Sequence, residues 1–129
     1  MQTARLSADF HRLAPDGSEV RFLLRMNRGE LNHFTLPPHS TSSAVVHRSI
    51  EEIWYFLSGK GQLWRKEDGR EETLDVGPGI SLDIPTGTHF QFRNTGEEPL
   101  CFVIATMPPW PGDDEALSVA GPWEASGVR

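Results

Sequence analysis

Cysteine is nearly missing from this chain: Cys101 is the only one in 129 residues, so no intrachain disulfide can form and nothing asks for an oxidising compartment. Its setting, LCFVIA, is that of a small buried hydrophobe rather than of a reactive thiol. Positive charge is also scarce. Twelve Lys and Arg against eighteen Asp and Glu leave a formal charge of -6 without a basic stripe, which argues against a nucleic-acid or anionic-membrane surface. Long apolar runs are missing too. No segment approaches a membrane span, and MQTARLSADF lacks the apolar stretch of a signal peptide. These absences lead us to expect a cytoplasmic protein with neither nucleic acid nor membrane as partner. No stretch before Asp113 carries a helical period, which leaves an all-β reading.

What is there is a succession of short β-type segments separated by turn signals about every ten residues, the pattern of a sandwich or barrel. The centre of the chain is HRSIEEIWYFLSGKG, His47 to Gly61. Ile53 to Leu57 are β-branched, aromatic or aliphatic, and suit a strand covered on both sides. Strand parity puts Glu52, Trp54 and Phe56 on one face and Ile53, Tyr55 and Leu57 on the other. A carboxylate thus shares a face with two large aromatics, and a buried carboxylate needs a partner or a raised pKa. Further strands are expected over 18–26, 30–36, 44–48, 62–66, 72–76, 80–84, 89–94 and 100–107. The length fits a single domain over 1–129, with a barrel core over about 18–107 and an arm over 108–129.

The spacing of His47, Glu52 and Gly59, followed after a hairpin by Gly79, Pro85, Gly87 and Asn94, resembles the two motifs of the cupin superfamily. That resemblance spans about residues 31–107 and implies a double-stranded β-helix, or jelly-roll barrel. In many cupins two histidines and a glutamate of the first motif, with a histidine of the second, hold a divalent metal such as iron, manganese, nickel or zinc. Aligned on Glu52, this chain keeps His47 but has Val45 where the other histidine would stand. Aligned on Asn94, the second motif's histidine falls on Phe90, with His89 one place early. A one-residue offset turns a side chain to the opposite face, so Phe90 and Phe92 are expected to point inward and His89, Gln91 and Arg93 outward. Only a bulge near Thr88 would re-aim His89. The metal candidates are therefore His47, Glu52 and His89, and the set favours a site without a tight catalytic metal.

Three functions stay open. The first is a small-molecule-binding cupin whose partly apolar pocket is lined by Val45, His47, Glu52, Trp54, Phe56, Phe90 and Phe92. The second is an enzyme, either a metal-dependent oxygenase or isomerase or one using His47 and Glu52 as a catalytic proton-transfer pair. The third is a structural or regulatory partner with a filled barrel. Trp54 and Trp64 either line the pocket or fill the core. His33 is expected at an exposed or rim position, and Arg48, Arg65 and Arg93 as solvated outer charges. The tail, TMPPWPGDDEALSVAGPWEASGVR, is Pro- and Trp-rich. One helical turn is expected at Asp113 to Leu117 and no ladder elsewhere, with Trp110 and Trp123 packed on the barrel or on a second subunit of a homodimer.

Overall fold

In the computed structural model, which describes residues 1–126, the chain forms eleven strands and one short 3-10 turn. The last three residues of the expected arm lie outside the described residues. The strands are β1 (Arg12–Leu13), β2 (Glu19–Arg25), β3 (Glu30–Leu36), β4 (Val45–His47), β5 (Glu51–Ser58) and β6 (Gly61–Glu67). They continue with β7 (Arg70–Val76), β8 (Ser81–Ile84), β9 (His89–Asn94), β10 (Leu100–Met107) and β11 (Ala116–Ser118). One sheet has the order β1-β2-β3-β10-β5-β8 and the other β11-β4-β9-β6-β7, with antiparallel pairing throughout. Two antiparallel sheets face to face, with crossovers between them, make the jelly roll. No helix among the described residues is long and apolar enough to cross a membrane.

The inner faces fill according to strand parity. On β5, Glu52, Trp54 and Phe56 are buried while the intervening residues are exposed. Contrary to the expectation for this strand, no element among the described residues packs over the outer face of β5, where Ile53, Tyr55 and Leu57 remain 50, 46 and 42% exposed. Trp54 stacks on Phe102 at 4.9 Å and meets Phe90 and Phe92 edge-on at 5.5 and 5.2 Å. With Phe56 these rings form a solid plug, each side chain contributing roughly 2–3 kcal/mol by burial. The β5–β6 turn closes on Gly59, at φ 83°, where a Cβ would run into the Pro99 carbonyl.

The described segments before β2 and after β10 both return to the barrel. The arm was expected to form no ladder, yet Ala116–Ser118 pairs with β4, because Glu115 fixes the chain beside it. The buried Glu115 carboxylate accepts from the Ser49 N–H (2.6 Å), the Ser49 hydroxyl (2.5 Å) and the Ile50 N–H (3.1 Å). Burial would raise its pKa, but these bonds outweigh it and hold it below the usual range. Further along, Gln91 and the Trp123 backbone bond each other in both directions, and Arg93 lies 4.2 Å from the Trp123 ring centre. Gln91 therefore points out of the barrel and is buried all the same, roofed by the arm.

Candidate functional site

The inward rows of the larger sheet change character along the barrel axis. Glu30, Thr106 and Glu52 pair across β3, β10 and β5; the next row is Asn32, Ile104 and Trp54; the third is Phe34, Phe102 and Phe56. One end of the interior is polar and the other is the aromatic plug. A cavity of about 280 Å³ opens at the polar end, and Val45, His47 and Glu52 lie on its wall with Asn32, Thr106 and Trp110. Trp54, Phe56, Phe90 and Phe92, expected as pocket lining, are instead packed beneath it with essentially no exposed surface. Parity gives a side chain's face but not its depth along the axis.

Glu52 is 5% exposed and held on both oxygens: the Trp54 indole N–H donates to Oε1 and the Thr106 hydroxyl to Oε2, each at 3.1 Å. The Trp54 bond follows from the sequence, since residues two apart on a strand share a face. Burial pushes the Glu52 carboxyl up to about 7. The two hydrogen bonds oppose that rise, and the nearby Asp16 and Glu30 carboxylates add to it. His47 is 6% exposed, with its ring edge-on to Phe90 and Trp110 at 5.2 and 5.5 Å. Burial lowers its pKa to about 4 despite the opposing charge of Glu115, so the imidazole is neutral near pH 7. Its Nδ1 lies 3.8 Å from Glu52 Oε1 and makes no hydrogen bond among the described residues.

The rest of the wall comes from both ends of the chain. Glu30 Oε1 accepts from the Trp110 backbone N–H (2.6 Å), Arg25 donates to the Trp110 carbonyl (3.3 Å), and Arg12 pairs with Asp113 (3.1 Å). Asp16 accepts from the Ser18 N–H and hydroxyl, yet burial still raises its pKa. Sequence reasoning missed Arg12, Asp16, Arg25 and Glu30, which lie outside the motif. Glu30 and Asn32 had one legible signal, their shared parity with Phe34 and Leu36 in ELNHFTL.

The donor set does not fit a tightly held divalent metal. Val45 and Phe90 stand inward where the resemblance implies coordinating histidines, and His89 pairs with Val46 and Lys66 at outward register positions. Only His47 and Glu52 remain, and no group of three or more His, Cys, Asp or Glu side chains converges among the described residues. Other residues also differ from expectation. His33 is buried rather than at a rim, under the side of the sheet where Arg21 bonds Thr35 and the carbonyls of Ser7 and Ala8. Trp64 lies opposite Gln91 on the outer side of β6, donating to Glu71 at 2.8 Å, so it neither lines the cavity nor fills the plug. Of the three arginines expected as solvated charges, Arg65 is ion-paired to Glu72 (2.6 Å) and Asp83 (3.1 Å), Arg48 pairs with Asp114 (3.6 Å), and Arg93 donates to Gln62 (3.1 and 2.6 Å).

Residues 32–106 match the family described as Cupin domain. The chain belongs to the cupin family. This cupin is 28% identical over 110 residues to an uncharacterized protein of Methanocaldococcus jannaschii, covering 81% of this chain and 85% of that one. Among solved structures it is similar to a predicted oxalate decarboxylase from Thermotoga maritima, with 21% identity, TM-score 0.68, and 83 and 99% of the two chains covered. It is also similar to the Drosophila melanogaster CENP-C cupin domain, with 16% identity, TM-score 0.68, and 80 and 75% covered. At these identities the likeness is one of fold, and a shared barrel does not fix a function.

Proposed function

We propose that this cupin binds a small neutral or cationic organic molecule at the polar end of its barrel, without a tight catalytic metal, and that it works in the cytoplasm. The carrying observation is the 280 Å³ cavity walled by a buried carboxyl poised near neutrality and a buried neutral imidazole. That volume is near the lower end of ligand pockets, ~300–1,000 Å³. Charge selects the ligand class. Asp16, Glu30 and Glu52 stand on the wall, and its arginines, Arg12 and Arg25, are already paired to Asp113 and Glu30. A dianion such as oxalate would meet carboxylates there, whereas a neutral or protonated group would be welcome. A second reading, general acid–base catalysis by Glu52, is favoured by its pKa of about 7, where a carboxyl both gives and takes a proton at neutral pH.

Saturation-transfer NMR with lactams, primary amines and oxalate tests the binding. Lactams or amines should give transfer that disappears when Val45→Trp fills the cavity, and oxalate should give none. Transfer from oxalate alone, or transfer indifferent to Val45→Trp, would overturn the proposal.

A further inference from the structure

The cavity at the polar end of the barrel is lined by more carboxyl groups than cations, and their placement narrows the ligand. Asp16, Glu30 and Glu52 stand on its wall with Arg12 and Arg25. Arg12 is paired with Asp113 (3.1 Å), and Arg25 lies against Glu30 (3.7 Å), which also accepts from Asn32 and the Trp110 backbone. Asp16 and Glu52 are left without a cation among the described residues, the His47 imidazole beside Glu52 being neutral. Asp16 is partly buried in the turn between β1 and β2. Its Oδ1 accepts from both the Ser18 N–H (2.9 Å) and the Ser18 hydroxyl (2.7 Å), whereas Oδ2 has no partner among the described residues. The two acids lie close enough to interact, since the Asp16 charge helps to raise the Glu52 pKa. Carboxylates withdrawn from water in this way are costly until a cation pairs with them.

The strand register shows what separates them. Glu52 pairs with Thr106 on β10, and Ile104 follows Thr106 on the same face. Phe34 on β3 and then Val20 on β2, which pairs with it, lead on to Ser18, the residue that holds Asp16. Ile104, Phe34 and Val20 all line the cavity, so the interval between the two acids is apolar. A single metal ion does not suit this spacing, because no three acids or imidazoles converge among the described residues. A cation with two charged ends and an apolar middle does. The Glu52 end carries an independent sign of a ligand. His47 is 6% exposed, and its unpartnered Nδ1 stands 3.8 Å from Glu52 Oε1. That is too far for the two atoms to bond each other, yet one ammonium nitrogen, with its several N–H donors, can bond both. At the other end, Oδ2 of Asp16 is open to a second ammonium. We infer that the ligand is a short aliphatic diamine, one ammonium held by Glu52 and His47 and the other by Asp16. Asp16 is then the residue that selects for the second charge. The inference rests on the reading of the cavity as a binding site.

Isothermal titration calorimetry on the full chain tests this with two probes of equal chain length: diaminobutane, with an amino group at each end, and butylamine, with one. The wild type should bind diaminobutane about tenfold or more tightly than butylamine, the gain from a further charge-assisted hydrogen bond. Asp16→Asn should abolish that preference by weakening diaminobutane about tenfold or more. Asparagine keeps an oxygen for the Ser18 N–H, so the turn and the circular dichroism should be retained. Glu51→Gln removes a charge from the exposed outer face of β5 and should leave both affinities at their wild-type values. Equal affinities for the two amines in the wild type, a preference that survives Asp16→Asn, or one lost equally in Glu51→Gln would overturn the inference. Lactams binding where diaminobutane does not would overturn it too, and the cavity would stand as a binding site for neutral molecules. If amines and lactams alike fail to bind, the site itself falls, and the inference with it.

Discussion

Glu52 and His47 should pull the pH dependence of stability in opposite directions, and separating them tests whether both are buried. The Glu52 carboxyl moves from 4.5 to about 7 on folding, so between those values the folded protein holds a proton the unfolded chain has lost. Stability from this group is highest below pH 4.5 and falls as pH rises to 7. At ~1.4 kcal/mol per pH unit the fall is about 3 kcal/mol. His47 moves from 6.5 to about 4, so its contribution is complete above pH 6.5 and is lost as pH falls to 4, again by about 3 kcal/mol. The two slopes offset each other between pH 4.5 and 6.5, and wild-type stability should be nearly flat there so far as these groups decide it. Glu52→Gln keeps an oxygen for the Trp54 N–H and removes the charge. It should match the wild type near pH 4.5 and exceed it at pH 8 by up to about 3 kcal/mol, a urea midpoint roughly 1–2 M higher. His47→Gln should expose the opposite slope, with stability falling as pH rises. Urea unfolding across this range reads both. Parallel profiles for Glu52→Gln and wild type from pH 4.5 to 7 would refute the burial of the carboxyl and the site built on it.

Further outcomes are expected elsewhere. Glu115→Gln should lower stability by about 2 kcal/mol at pH 7, because the Ser49 and Ile50 amides then face a weaker, neutral acceptor; the deficit should shrink as pH drops below 4.5, measured by urea unfolding. Trp54→Ala should cost about 3–5 kcal/mol by leaving a hole among Phe90, Phe92 and Phe102, visible as a large fall in melting temperature. Gly59→Ala should destabilise by about 2 kcal/mol or more, since both its φ and its contact with Pro99 exclude a side chain, and thermal denaturation will register it.

The barrel was legible because its central strand alternates so regularly. The face shared by Glu52, Trp54 and Phe56 follows from parity alone, and the turn glycines place the hairpins. What parity does not encode is how far along the axis a residue lies, so the sequence did not separate the plug, Trp54, Phe56, Phe90 and Phe92, from the cavity wall above it. Nor does it encode cover supplied from elsewhere in the chain. Gln91 reads as solvated until the Trp123 segment is seen to lie across it. β11 was hidden for a related reason: three residues beside prolines and acids carry little strand signal of their own, and they pair only because Glu115 anchors them to the Ser49 turn.

The stretch shared with the family runs from Asn32 to Thr106, yet much of the cavity rim, Arg12, Asp16, Arg25, Glu30 and Trp110, lies outside it. The common scaffold holds the acid and the imidazole, while the flanks decide what may sit against them. Two such proteins with interchangeable cores would take different guests simply by differing in their opening and closing segments, and grafting those segments from one to the other should carry the preference along.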